Sequence, residues 1–205
     1  MAGTADNWLV TDVARGPGKL YAGLAIPGTG GRLILYSDGT PDATQNPSAV
    51  HLGMTEEGTS WSIKPTITDY HADEFQDPII STVTGNEIAM TGSLLQVMNM
   101  SIADILLQNA TRSDLSGTQG LMIGTVDVLQ YTSIACIWPI EGSSGPTVYG
   151  VMHLYKAFND AGLAAQITSK KLSSTPFAFR GIADTTRAKT DTTGRFYRQL
   201  GGAAS

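Results

Sequence analysis

The sequence predicts a mainly β protein, a β-sandwich or open barrel with one short flanking α-helix, and three observations carry that prediction. Charged residues make up only 15% of the 205-residue chain, which holds 23 glycines and many serines and threonines. A charge-poor, Gly- and Thr-rich chain with short apolar stretches suits strands better than helices. Apolar and polar residues alternate around Trp61, Ile63 and Ile67 and again around Ile88, Met90 and Leu94; a period of two places each set on one face of a strand. Only "SIADILLQN" has helical spacing. The length fits one domain with a core of its own.

Taken in order, residues 1–19 are polar and glycine-containing and read as an N-terminal arm. "LYAGLAIPGTGG" gives a short strand ended by Pro27 and a glycine turn, and "RLILYSDGTP" a second, followed by a turn at Asp38-Gly39. "TPDATQNPSAV" has two prolines and no period, and reads as loop. "SWSIKPTITDY" is a strand with one buried face, and Pro65 inside it demands an edge, a bulge or an unpaired stretch because proline donates nothing to a ladder. Gly85-Asn86 is a turn candidate, and "EIAMTGSL" alternates again. The helix is expected near 101–109, with Ser101 as N-cap, Asp104 at capping-box spacing and Ile102, Ile105 and Leu106 on one face. "TRSDLSGTQG" reads as loop. "TSIACIWPI" sets Ile134, Cys136, Trp138 and Ile140 on one face, and "TVYGVMHLYKAF", "AAQITSKKL" and "PFAFRGIAD" complete seven or eight strands. The domain therefore spans 20–183, and the polar 184–205 reads as a C-terminal arm with one amphipathic piece, "RFYRQL".

Chemistry is not where the residues point. The net charge of −5 argues against a protein that grips phosphate. The lone cysteine, Cys136, permits no intramolecular disulfide and reads as a small buried hydrophobe. The first residues lack a basic stretch followed by an apolar core, and no run reaches the ~18 apolar residues of a membrane span; a soluble protein made in the cytosol is expected. "DYHADEFQDPI" packs Asp69, His71, Asp73, Glu74 and Asp77 together. It lacks the glycine and spacing of a calcium loop, and the three histidines match no zinc pattern. A solvated acidic loop between strands is the expectation, with no metal, cofactor or catalytic residue. No G-x-S-x-G elbow is present, "PGTGG" lacks the Lys-Ser/Thr of a phosphate loop, and Trp8, Trp61 and Trp138 are too scattered to define a platform. Charge is uneven: no Lys or Arg lies between Pro65 and Thr111, whereas the tail carries Arg187, Lys189, Arg195 and Arg198. Arms, a long loop and opposed charge sections fit a subunit of an assembly.

Two stretches carry a family resemblance. "HLGMTEEGTSWSIKPTITDYHADEFQDPIISTVTGNEIAMTGSLLQVMNMSIADIL" resembles the central part of siphophage major tail proteins: a glycine-led turn, a strand, an acidic D-E-x-x-x-P-I passage, a second strand with an acid at its start, then a short helix. "KKLSSTPFAFRGIADTTRAKTDTTGRFYRQL" is similar to that family's closing segment. The resemblance implies a tail tube subunit without catalysis: hexameric rings stacked into a tube, with inner strands forming one barrel around the passage for the genome. It implies contacts with tape-measure, tail-tip and terminator proteins, a location in the virion tail after assembly in the host cytoplasm, and double-stranded DNA passing without specific binding. On that basis Asp69, Asp73, Glu74 and Glu87 are lumen-facing candidates, since cations on the wall would hold phosphate. Gln76, Asp77 and Pro78 are candidates for ring-to-ring contact, and Trp8, Arg187, Lys189, Arg195 and Arg198 for subunit contact. The alternatives are a head-tail connector, a terminator or another ring-forming virion protein, and, in a different class, a metal-dependent hydrolase using Asp69, His71 and Asp73.

Overall fold

The computed structural model describes residues 13–14, 18–71, 77–95, 99–116, 118–124, 129–141, 147–164 and 173–200. They form β1 (Val13–Ala14), β2 (Lys19–Ala22), β3 (Val50–His51), β4 (Thr55–Tyr70), β5 (Ile80–Leu94), α1 (Met100–Leu106), β6 (Ala110–Leu115), β7 (Thr118–Ile123), β8 (Thr132–Glu141), β9 (Val148–Asn159), β10 (Thr175–Ile182) and β11 (Gly194–Leu200). The mainly β expectation holds. Nine strands make one antiparallel sheet in the order β3-β2-β8-β9-β10-β5-β4, with β1 added to β8 and β11 to β9, and β6-β7 stand apart as a hairpin.

The sheet closes over one apolar core because its two halves need the same cover. Leu20, Ile134, Cys136, Met152 and Leu154 from β2, β8 and β9 meet Ile88, Met90, Leu94, Phe177 and Phe179 from β5 and β10. Helix α1 seals the cluster with Ile102 and Leu106. The opposite face of β2, β8 and β9 is also buried: Tyr21, Ala135, Ile137, Tyr149 and Val151 lie under Leu24, Leu33 and Leu35 of the connection to β3. Strands covered on both faces read as continuous apolar runs, as "SIACIWPI" does.

That connection contains no strand at 32–36, contrary to expectation, but one isolated bridge between Leu35 and Pro41. Its polar groups are satisfied by turns instead. Tyr36 N–H donates to Thr40 O at 2.8 Å, Asp38 Oδ1 accepts from Thr40 N–H at 2.9 Å, and Ala25 N–H donates to Asn46 Oδ1 at 3.0 Å. The predicted Asp38-Gly39 turn is present. Gly39 has φ 78°, and a Cβ there would lie 2.4 Å from the Tyr149 ring, so both backbone and space require glycine.

Five further expectations are corrected. "TRSDLSGTQG" is the β6-β7 hairpin rather than loop, in register from Ala110↔Ile123 to Leu115↔Thr118. Gly85-Asn86 is not a turn but lies mid-strand opposite Thr66 and Pro65. The helix N-cap is Asn99, whose side chain accepts from Ser101 N–H at 3.0 Å, not Ser101. Part of the N-terminal arm belongs to the sheet, since Val13 pairs with Glu141 and Lys19 with Ile137. The C-terminal arm is mostly fold as well: β11 pairs with β9 from Gly194↔Leu154 to Leu200↔Val148. Most of "AAQITSKKL" lies outside the described residues, as does Trp8.

Candidate functional site

The feature that the core does not explain is the outer half of the β4-β5 hairpin. β10 pairs with β5 only from Leu94 to Ala89, so beyond Ala89 the two strands run on to Tyr70↔Ile80 as a ribbon with no further strand beside them among the described residues. Direct cross-strand partners share a face, which sorts the side chains. One face carries Trp61/Met90, Ile63/Ile88, Pro65/Asn86, Ile67/Val83 and Asp69/Ser81; the other carries Ser62/Ala89, Lys64/Glu87, Thr66/Gly85, Thr68/Thr82 and Tyr70/Ile80. A register shift between Thr66 and Ile67 preserves this sorting. The alternation read from "SWSIKPTITDY" is therefore real, but its apolar face is not buried as expected. Ile88 and Met90 enter the core, whereas Ile63, Ile67 and Val83 are 46%, 56% and 64% exposed. An isolated two-stranded ribbon is marginal in water, and β4 is also the edge of the sheet. Pro65 lies on that edge, where its missing N–H costs no ladder bond.

The acidic candidates separate. Glu87 stands directly across from Lys64 and pairs with Arg180 at 3.2 Å, so the stretch without cations in sequence acquires two from neighbouring strands. Asp69 lies on the opposite face and accepts from Ser81 Oγ at 2.6 Å. Asp69 and Glu87 thus cannot line one wall of a flat ribbon together. Asp77 and Pro78 are exposed at its end, where Ile79 N–H donates to Tyr70 O at 2.9 Å. Asp73, Glu74 and Gln76 lie outside the described residues.

At the base of the ribbon the fold gathers an aromatic shelf that the sequence did not reveal. Trp61 of β4 lies 5.1 Å from Phe196 of β11, and Trp138 of β8 lies 6.0 Å from Phe196 and 6.2 Å from Trp61, with both tryptophan planes near parallel to their stacked partners. Stacked rings at such distances attract beyond their burial. Gly150 makes room, since a Cβ there would sit 2.4 Å from the Trp138 ring. Phe196 remains 53% exposed, and Leu200, two positions further on the same strand face as Arg198, is exposed too. The clue in the sequence was the amphipathic piece "RFYRQL". The shelf and the ribbon's apolar face are continuous through Trp61 and Ile63.

The C-terminal cations divide. Arg187 is half-buried and spent inside the chain: it pairs with Asp191 at 2.8 Å, donates to Pro27 O at 2.8 Å, and lies 4.0 Å over the Tyr155 ring. Arg195 reaches Asp191 at 3.1 Å and Gly31 O at 2.8 Å. Burial pushes the Asp191 carboxyl up, but hydrogen bonds from Tyr155 and Arg187 outweigh it and hold the group below the usual range. As subunit contacts Arg187 is therefore withdrawn and Arg195 half-withdrawn, because their charge is consumed by this clamp. Lys189 and Arg198 are exposed.

Burial pushes the Cys136 thiol up to about 11, which makes it inert at neutral pH. A polar hollow of about 500 Å³ at the Gly58 bulge is lined by Glu56, Glu57, Thr59, Ser60, Thr91 and Ser93. Among the described residues no three His, Cys, Asp or Glu side chains converge on one point, and no helix is long and apolar enough to cross a membrane. No protein-family model matches the chain, and no curated protein matches its sequence.

Proposed function

We propose that the protein is a structural virion subunit, a phage tail tube protein that assembles with copies of itself into hexameric rings stacked as a conduit for the genome. The observation that carries this reading is the ribbon, a long edge hairpin whose apolar face has no cover among the described residues. A neighbouring copy supplies that cover and pairs the β4 edge, which removes the liability of an open edge. The family resemblance of residues 51–106 and 170–200 supplies the architecture.

The two faces of the ribbon then take different roles. The apolar face, with Trp61, Ile63, Ile67 and Val83, packs on the adjacent subunit. The other face, with Ser62, Lys64, Thr66, Thr68 and Thr82, with Glu87 paired to Arg180, and with Tyr70 and Ile80 toward its end, faces the channel. A wall rich in hydroxyls, with Glu87 offsetting Arg180, offers phosphate few cations to hold, as a conduit requires. Glu87 keeps its lumen assignment in this arrangement and Asp69 moves to the subunit boundary. Asp77 and Pro78 at the exposed end are placed for contact between rings. Tape-measure, tail-tip and terminator proteins are the partners of the finished tube, which resides in the virion tail and assembles in the host cytoplasm; the subunit performs no catalysis.

Electron microscopy of the concentrated protein, beside an Ile67→Lys/Val83→Lys variant, tests the reading. Wild type is expected to give rings or hollow tubes and the variant folded monomers. Rings that never stack would move the assignment to a head-tail connector or terminator. Identical assembly of both proteins would remove the ribbon from the interface.

A further inference from the structure

His153 occupies the centre of β9 with its side chain on the face covered by the C-terminal segment. It is 1% exposed, and neither Nδ1 nor Nε2 has a hydrogen-bond partner. Buried polar groups are rarely left unsatisfied, so this ring sits where a proton gained on it meets no acceptor. Its surroundings make the proton less welcome still. Across the ladder lie Ala135 of β8 on one side and Arg195 of β11 on the other. Tyr155 of its own strand contacts the ring edge-on at 5.2 Å. The 184–193 loop brings Arg187 and Asp191, with Asp184 of the same loop engaged by Lys156 at 3.0 Å. The connection to β3 contributes backbone carbonyls, those of Pro27 and Gly31, held by the two arginines, and its Arg32 is exposed. The cluster beside His153 thus holds two guanidiniums against one carboxylate.

We propose that His153 is an acid-operated latch: protonation drives apart the Arg187–Asp191–Arg195 clamp and releases residues 184–200, with the 27–33 connection they hold, from β9. The clamp is what a third positive charge would strain first, because Asp191 is already shared between two arginines. Asp191 also ties the loop to β9, accepting from Tyr155 Oη at 2.7 Å, and beside the clamp Leu33 N–H donates to Tyr197 Oη at 3.0 Å, which joins the connection to β11. Burial, and then the positive charge of Arg187, hold the imidazole well below its ordinary 6.5, at about 3. A depressed folded-state value means the unfolded or opened chain binds the proton more readily. The contribution is fully present above pH 6.5 and is lost progressively as pH falls toward 3.

Hydrogen exchange of the full chain, corrected for intrinsic rates and followed from pH 7 to pH 4.5, tests the latch. The opening constant of β11 amides is expected to rise by up to about tenfold per pH unit below the ordinary histidine value, ahead of β5 and β8. His153→Leu, an apolar replacement of similar size, is expected to abolish that rise. Opening independent of pH in wild type, the same rise in His153→Leu, or a rise spread evenly over the whole sheet would each overturn the proposal. Should His153→Leu fail to fold, NMR titration of wild type decides instead: a His153 pKa near 6.5 with β11 still protected contradicts the latch, and one displaced far below it with β11 opening on protonation supports it.

Discussion

The body of the sheet and the β4-β5 ribbon are built from the same kind of sequence, yet they resolve their apolar residues in opposite ways. In the body, β8 and β9 are covered on both faces, and Leu20, Met90, Met152, Leu154 and Phe179 are fully enclosed. In the ribbon, Ile63, Ile67 and Val83 follow the same alternation and stay in water. An alternating strand declares that one face wants cover. It does not declare whether the cover comes from the same chain. On the proposed reading, the ribbon is the part of the molecule whose energetics belong to an assembly.

Substitutions sharpen this contrast. The largest loss of folding stability is expected at the centre of the core: Phe179→Ala removes a fully buried ring where β10 crosses onto β5 and should cost about 3–5 kcal/mol in urea unfolding. Next comes the clamp. Asp191→Ala leaves two partly buried guanidiniums facing each other and should cost about 3 kcal/mol. Because the folded Asp191 carboxyl lies below its ordinary 3.8, its contribution is present above that value and is lost as pH falls further; in Asp191→Ala that acid-limb loss should be reduced. Ile67→Thr should change monomer stability by less than about 0.5 kcal/mol, the range of exposed sites, while weakening self-association. A substitution cost at Ile67 as large as that at Phe179, in a monomeric sample, would break the comparison. The smallest effect is expected at Glu87→Gln: its pair with Arg180 is half exposed on both sides and should contribute under about 1 kcal/mol.

The sequence made some of this legible and hid the rest for physical reasons. The strand positions of Ile88, Met90, Leu94, Ile134 and Cys136 follow from period-two alternation, and all five are buried on one core. Strand β6 stayed hidden because "TRSDL" is polar; it is stabilised by its β7 partner and the helix rather than by an apolar face. The expected strand at 32–36 failed for the converse reason: its leucines are buried, but they cap the sheet from a loop tied by turns. Gly85-Asn86 looked like a turn, yet the long ribbon holds both in extended pairing. The tail's basic residues looked external because charge alone says nothing of partners, although the i, i+4 spacing of Arg187, Asp191 and Arg195 was a usable sign of an internal network. The aromatic shelf was not legible beyond the amphipathic "RFYRQL", since Trp61, Trp138 and Phe196 come from three distant strands.

The central claim is that the ribbon's apolar face is covered by another copy of the chain. Static light scattering of wild type and Ile67→Lys/Val83→Lys across a concentration series measures it most directly. The account predicts ring-sized or larger species for wild type that grow with concentration, and a monomer with an unchanged urea midpoint for the variant. A wild-type protein that stays monomeric at every concentration, with Ile63 and Ile67 as solvent-accessible as in the isolated chain, would contradict it.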